Sequence, residues 1–295
     1  MLCRMILIFA LLGISCAANA QQDFSDVVVE ATPIRDGLYL VTGRGGNIVA
    51  SSGDDGLFLV DDQYAPLTER IQAALEEITD RPVRFVINTH WHGDHVGGNE
   101  NFAEAGAVII AHENVRSRMS SDQFMAAFNR TVPAAPAKAL PVVTFAEGVT
   151  LHLNGNDVQI IHVANAHTDG DALVYFRNAN VLHMGDIQFN GLYPFIDLGS
   201  GGGIHGVIAG VERALELADD ETIVVPGHGP LSNRAELAAY GAMLAGFRDR
   251  IGALKAEGLS LEEVVAAQPT AEFDERLGGG FIPPARLVGS IYDSL

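Results

Sequence analysis

Cysteine is almost missing from this chain. Its 295 residues include two, Cys3 and Cys16. Both fall in the first twenty residues, so a chain cut after Ala20 keeps neither. Loss of that segment excludes a disulfide framework, a thiolate nucleophile and a thiolate metal ligand from the remainder. Basic side chains are scarce as well: 18 Lys plus Arg stand against 37 Asp plus Glu, a formal charge of -19. Nucleic acid and anionic membrane surfaces both need clustered positive charge, so neither is expected as the main partner. What remains, 48% hydrophobic and 19% charged, suits a folded core and not a disordered or fibrous chain.

The N-terminus has a separate task. Arg4 is the only charged side chain before Asp23, residues 5–12 are unbroken apolar, and small residues lead to Ala18-Asn19-Ala20. A basic start, a short apolar stretch and an Ala-x-Ala site predict a signal peptide over 1–20, cleaved after Ala20. The run is too short to span a bilayer comfortably, so no stable membrane insertion is expected after cleavage. Export of a cysteine-free chain fits a bacterial periplasm or secretion. Residues 21–295 are expected to form a single domain of two halves, divided near 131–141, where Pro133, Pro136 and Pro141 cluster.

Apolar periodicity orders the rest. Short strands are predicted at 27–30, 38–42, 47–51 and 57–60, separated by Gly-rich or acidic turns. Apolar residues at three- and four-residue steps predict a helix over 65–79, and a strand–helix–strand run follows over 84–111. Residues 114–128 read as helix and 131–141 as loop. Strands are expected at 149–153, 157–162, 172–176, 180–183 and 221–226, with helices at 206–218, 234–256 and 261–267. The aromatic-bearing tail, 273–295, should pack back on the body. Strand–helix alternation of this kind places helices outside a sheet. Four strands end directly in polar residues able to bind metal, at His90, His167, Asp186 and His228. These ends should meet at one rim.

The densest group of such residues is Thr89-His90-Trp91-His92-Gly93-Asp94-His95-Val96-Gly97-Gly98. Imidazole and carboxylate suit zinc. His90 and His92 alternate about Trp91, so extended backbone presents both to one ion, whereas Asp94 and His95 point elsewhere and offer a second ion a place. His167, Asp186 and His228 add more ligands than one closed structural site requires. His112, His152, His162, His183 and His205 are expected outside the cluster, and Trp91 is expected to pack beside it.

These motifs resemble the metallo-β-lactamase fold superfamily, whose hallmark is His-x-His-x-Asp-His followed by single His, Asp or Cys, and His ligands. The likeness covers about residues 38–230. It implies an α+β fold, a four-layer αβ/βα sandwich, with a binuclear site at the edge between two sheets. It further implies one Zn2+ ion on His90, His92 and His167 and another on Asp94, His95 and His228, with Asp186 between them. Asp61 matches the aspartate that commonly supports the histidine motif; the alternative is that it simply starts a turn, and its neighbour Asp62 competes for the role. Many zinc β-lactamases with this motif have cysteine where Asp186 stands; aspartate there is more like glyoxalase II.

Two adjacent cations acidify water to hydroxide at neutral pH, and hydroxide so formed attacks a carbonyl. The expected activity is therefore metal-dependent hydrolysis of a small-molecule substrate with a hydrolysable carbonyl, a β-lactam or else a thioester or lactone; a non-catalytic metal-binding periplasmic protein is the alternative from another class. Asp94 would ligate and orient the nucleophile, and Asn190 would donate to the substrate carbonyl or oxyanion. Tyr193 and Phe195 would form an apolar wall or pin their loop to the core. No Lys or Arg stands near that loop in sequence to clamp an anionic group.

Overall fold

In the computed structural model, which describes residues 23–295, the chain opens with an antiparallel meander: β1 (Glu30–Arg35), β2 (Leu38–Thr42), β3 (Ile48–Gly53) and β4 (Gly56–Val60). The expected leader, with Cys3 and Cys16, lies outside the described residues. β1 begins where the predicted first strand was to end. Arg70 is the reason: its guanidinium donates to the carbonyls of Phe24 (2.5 Å), Val27 (2.6 Å) and Ser25 (3.1 Å), taking those groups out of any ladder.

Helix α1 (Thr68–Glu76) leads to β5 (Val83–Ile87); the short α2 (Gly93–Val96) and α3 (Asn99–Glu104) lead to β6 (Val108–His112). Strands β4, β5 and β6 run parallel, so their C-terminal ends share one rim. The helix predicted over 114–128 stops early, as α4 (Glu113–Met119). Gln123 turns back onto the carbonyls of Arg118 and Ser121, and the chain forms a hairpin of β7 (Gln123–Met125) and β8 (Arg130–Val132), closed by Asn129 at φ +46°. Asparagine is among the few residues that adopt such a φ readily. The segment expected as loop over 131–141 therefore starts in the last residues of β8 and contains a 3-10 turn at Ala137–Ala139; β9 (Val143–Phe145) follows it.

Next come β10 (Gly148–Leu153), β11 (Asn156–Val163), β12 (Asp171–Phe176), β13 (Val181–His183), helix α5 (Ile204–Leu217), β14 (Ile223–Val225) and β15 (Ser232–Asn233). Four helices finish the chain: α6 (Arg234–Ala256), α7 (Leu261–Ala266), α8 (Ala271–Leu277) and α9 (Pro284–Ser294). The Asn233 side chain accepts from the Glu236 amide at 3.0 Å, which starts α6 at its predicted residue.

Among the described residues, one sheet has seven strands in the order β1-β2-β3-β4-β5-β6-β9 and the other six, β10 through β15. The chain crosses between them after Phe145. Alternation along the strands assigns each face its partner. In β4, Phe58 and Val60 meet Val158, Val174 and Phe176 of the other sheet, and Phe58 stacks on Phe176 with ring centres 6.2 Å apart. Leu57 and Leu59 point the opposite way, into a core with Ile71, Leu75 and Phe102 of α1 and α3. On the far side, Leu173 and Tyr175 of β12 pack with residues of α5, α6 and α9. The layers are thus helix, sheet, sheet, helix, an αβ/βα sandwich. Among the described residues no helix is long and apolar enough to cross a membrane.

Asn47, just before β3, fastens the first half to the second. Its amide donates to Gly227 (2.8 Å), its Nδ2 to Pro226 and Gly229 (2.9 Å each), and its carbonyl accepts from His183 Nε2 (3.0 Å). Asn47→Ala takes the donor from a buried carbonyl, Pro226, which costs about 1–3 kcal/mol, and from a half-buried one, Gly229, which costs less. A lower midpoint in urea unfolding is expected; an unchanged midpoint would show that solvent replaces the tie.

Candidate metal centre

The parallel order of β4, β5 and β6 brings Asp61 and Thr89-His90 to one rim, and in the facing sheet the ends of β11, β13 and β14 bring His167, Asp186 and His228 to the same place. Among the described residues, ligand atoms of His90, His92, His167 and Asp186 lie within 4.8 Å of one another, and so do those of Asp94, His95 and His228. Asp186 joins the two groups. Its Oδ1 is 3.1 Å from His95 Nε2 and 3.4 Å from His228 Nε2; its Oδ2 is 3.5 Å from His167 Nε2 and 3.8 Å from His90 Nε2. Of the seven, only Asp94 and His228 keep partial exposure, at 23% and 20% of their side chains, so the opening lies on their side.

Each inner imidazole has one nitrogen fixed from behind, which leaves the other facing inward. His95 Nδ1 donates to Asp61 Oδ2 at 2.7 Å, and His167 Nδ1 donates to the Phe195 carbonyl at 2.7 Å. His90 Nδ1 lies 3.0 Å from Thr89 Oγ1, which itself donates to Asp61 Oδ2. His92 Nε2 meets Asp197 Oδ2 at 3.0 Å, and its Nδ1 lies 2.7 Å from His167 Nε2. Outer partners of this kind set the tautomer and aim the ring of a metal-binding histidine. Asp61 thus supports the motif, while Asp62 accepts from the Gly98 amide and caps the next turn. Backbone comes close as well: a Cβ at Gly46 would lie 2.1 Å from the His95 ring, and one at Gly227 would lie 2.1 Å from Asp186 Oδ1.

The electrostatics divide the cluster. Burial pulls His90 and His167 down, His167 to about 4, so both offer lone pairs at neutral pH. Burial acts the same way on His95 and His228 and is the largest single influence, but the carboxylates around them together outweigh it: Asp186, Asp61 and Asp94 hold His95 well above its usual value, and Asp186 with Asp94 holds His228 at about 9. Burial alone would raise Asp186 and Asp94; the surrounding imidazoles reverse this, leaving Asp186 well below the usual carboxylate range and Asp94 at about 2. His90 Nε2 and Asp186 Oδ1 are buried without a hydrogen-bond partner. An inward donor set of imidazole nitrogens and carboxylate oxygens, with orphaned atoms at its middle, fits a pair of divalent cations.

Other expectations are met or revised by geometry. His183 bonds Asn47, His112 accepts from the Asn114 amide at the start of α4, His152 pairs with Asp157 at the surface, His162 faces the Asp169 carbonyl and His205 is exposed, all outside the cluster. Trp91 is buried and donates to Ser200 Oγ at 3.1 Å. Asn190 needs correction: its Nδ2 donates to the Pro230 and Leu231 carbonyls (3.1 and 3.2 Å), a tie within the loop that occupies the donors expected for substrate. Tyr193 is core, 1% exposed, with its hydroxyl donating to Asp274 Oδ1 at 2.7 Å. Phe195 does stand beside the centre, its ring stacked 5.8 Å from His92. Asp197 was not foreseen; lying 105 residues from His92, it gave no local signal.

The sequence profile of the metallo-beta-lactamase superfamily matches residues 39–228. The chain belongs to that superfamily. This metallo-β-lactamase-fold chain is 29% identical over 212 residues to the 2,4-dinitroanisole O-demethylase subunit alpha of Nocardioides sp. JS1661, covering 70% of this chain and 60% of that one. It is 29% identical over 171 residues to a hydroxyacylglutathione hydrolase of Polaromonas sp., 57% of each chain. Among solved structures, a metallo-beta-lactamase from Pontibacter korlensis superposes with TM-score 0.61 at 21% identity, covering 74% of this chain and 99% of that one. The sec-alkylsulfatase Pisa1 from Pseudomonas sp. gives 0.68 at 18% identity over 90% and 50%. At such identities the structures share the fold.

Two measurements test the centre. Asp61→Asn keeps the side chain's shape, and asparagine tolerates the φ of +63° at this position. Chelator competition should show zinc held about 10–100-fold more weakly. The second concerns protons. At pH 7, His95 and His228 carry protons that a cation must displace, whereas His90 and His167 are already neutral. Zinc binding beside His95 and His228 should therefore release more protons, and strengthen more steeply as pH rises towards 9, than binding beside His90 and His167. Calorimetric titration in buffers of different ionisation enthalpy reads this directly; equal release at both steps would contradict it.

Proposed function

We propose that this chain is an exported, zinc-dependent hydrolase that cleaves a small acyl substrate at a binuclear centre. The observation that carries the reading is Asp186, whose two carboxylate oxygens face the two ligand groups separately. In this reading His90, His92 and His167 would hold one Zn2+ ion and Asp94, His95 and His228 the other, with Asp186 available to both groups. Bound there, the cations would supply an acidified water near neutral pH and a Lewis acid for the carbonyl oxygen.

The remaining work falls to the protein. Asp94, at the open side with Oδ2 3.4 Å from His228 Nε2, stays ionised, and its carboxylate would orient the attacking water by accepting its hydrogen bond. With its carboxyl at about 2, Asp94 positions a proton without storing one. Asp61 and Asp197, behind His95 and His92, oppose rotation of those rings as charge develops. Phe195, stacked on His92 and holding His167 through its carbonyl, excludes solvent from that side.

Among acyl substrates, Asp186 favours a thioester or lactone over a β-lactam. The lactamases resembled by the motif often carry a one-atom thiolate ligand there, and this chain carries a two-oxygen carboxylate between its ligand groups. The 29% identity to a hydroxyacylglutathione hydrolase supports the same preference. The predicted leader supports a periplasmic or secreted site of action, where a β-lactam remains the competing substrate.

A rate panel of an acyl thioester, a lactone and a cephalosporin, run with zinc-loaded and chelated protein, tests the reading. Metal-dependent turnover is expected, fastest on the thioester or lactone. Asp186→Asn should lower kcat/KM by about 100-fold or more. Zinc-loaded protein holding two ions but turning over no panel member would overturn the hydrolase reading; faster turnover of the cephalosporin would overturn the substrate order alone.

A further inference from the structure

The superfamily match ends at residue 228, but the chain beyond it returns to the centre. Phe281, in the turn between α8 and α9, has its ring 6.1 Å from Phe195 and 6.5 Å from Phe189. Phe128, at the tip of the β7–β8 hairpin, lies 5.2 Å from Phe195 and 6.3 Å from Phe281. The inner rings are buried and lean on the ligand histidines: Phe189 stacks on His228 at 5.1 Å and Phe195 on His92 at 5.8 Å. The outer rings remain open, Phe128 41% exposed and Phe281 53%.

Leaving rings in water is unfavourable by about 25 cal/mol per Å² of apolar area. Two exposed rings continuous with two buried ones form a contiguous aromatic surface, and such surfaces mark ligand sites. A charge completes this one. Arg286, in the first turn of α9, sets its guanidinium carbon 5.5 Å from the centre of the Phe128 ring. Arg250 pairs with Glu272 at 2.6 Å, whereas among the described residues no carboxylate pairs with Arg286, which is exposed. The anion clamp missing from the sequence around residue 190 is supplied in space by the tail.

We propose that this surface is the specificity subsite and that it takes an anionic amphiphile. An aryl or alkyl group lies against Phe128, Phe195 and Phe281, with its anionic end on Arg286. The end of the molecule remote from the anion then lies towards His228, on the open side of the centre. Steps of 5.5, 6.3, 6.5 and 5.1 Å connect Arg286 to Phe128, Phe128 to Phe281, Phe281 to Phe189 and Phe189 to His228, so the molecule must have a ring or chain between anion and reacting end. Placing the reacting bond at His228 rests on the hydrolase reading; the subsite itself rests on the rings and the guanidinium. Arg286 lying on an aromatic face gains a cation–π contact and keeps its outward N–H groups for a carboxylate, sulfonate or sulfate.

Calorimetry on zinc-loaded protein with 4-phenylbutyrate, its neutral amide and acetate tests the subsite without any turnover. Phenylbutyrate should bind about tenfold or more tightly than either of the others. Phe281→Ser should weaken both aromatic ligands about fivefold or more. Arg286→Gln should abolish the preference for phenylbutyrate over the amide and leave the amide unchanged. Both side chains are exposed, so neither change threatens folding, and thermal unfolding of each variant checks this. Phenylbutyrate binding no tighter than acetate would overturn the aromatic subsite. A preference for the anion that survives Arg286→Gln would place the carboxylate on the metal centre and overturn the clamp. Failure of the hydrolase reading appears elsewhere, as absent turnover in the substrate panel with these binding differences intact.

Discussion

A carboxylate buried among imidazoles is tolerable only with positive charge close to each oxygen, and Asp186 imposes that condition on everything around it. Its oxygens face different histidine groups, so charge is needed on two sides at once. Gly227 allows the backbone to approach Asp186 where any side chain would collide, and Gly46 does the same for His95. Asp61, Asp197 and the Phe195 carbonyl then hold the rings that face inward. The two sheets present their strand ends to one another because this group of charges belongs to neither sheet alone.

Around that cradle the molecule divides its labour. The parallel β4, β5 and β6 and the ends of β11, β13 and β14 bring the candidate ligands together just beyond strand ends. The surroundings come from connecting segments: the hairpin tip at Phe128, the 189–195 stretch and the turn carrying Phe281. A demethylase subunit and a hydroxyacylglutathione hydrolase, both 29% identical to parts of this chain, carry names for different chemistry. Loops on a rigid scaffold are where such differences accumulate.

The cradle was legible in the sequence because its first four candidate ligands fall within six residues, His90 to His95, and its others follow closely on apolar strands. Asp61 was legible through the family resemblance; it is Asp61 that touches His95, while Asp62 bonds the Gly98 amide. Side-chain direction was not legible. Tyr193 and Phe195 are two residues apart in one aromatic run, but Tyr193 is buried in the core with its hydroxyl on Asp274 and Phe195 faces His92. Asn190 had the chemistry of an oxyanion donor, but the fold brings the Pro230 and Leu231 carbonyls to take its hydrogens. Asp197, Phe128, Phe281 and Arg286 lay hidden for a common reason: each acts on a partner far along the chain, where spacing carries no information. The helix expected through Phe128 failed on a local competition, since Gln123 and Asn129 satisfy the backbone better as a hairpin.

Trp91 gives the centre a property unrelated to chemistry. It is the single tryptophan of the chain, its indole lies 4.9 Å from the His92 ring, and its N–H is tied through Ser200 to Asp197, the carboxylate behind that same histidine. Indole emission responds to nearby charge and to quenching by neighbouring imidazolium. The protein therefore carries its own optical gauge of what occupies the pocket, free of background from any other indole and needing no attached dye.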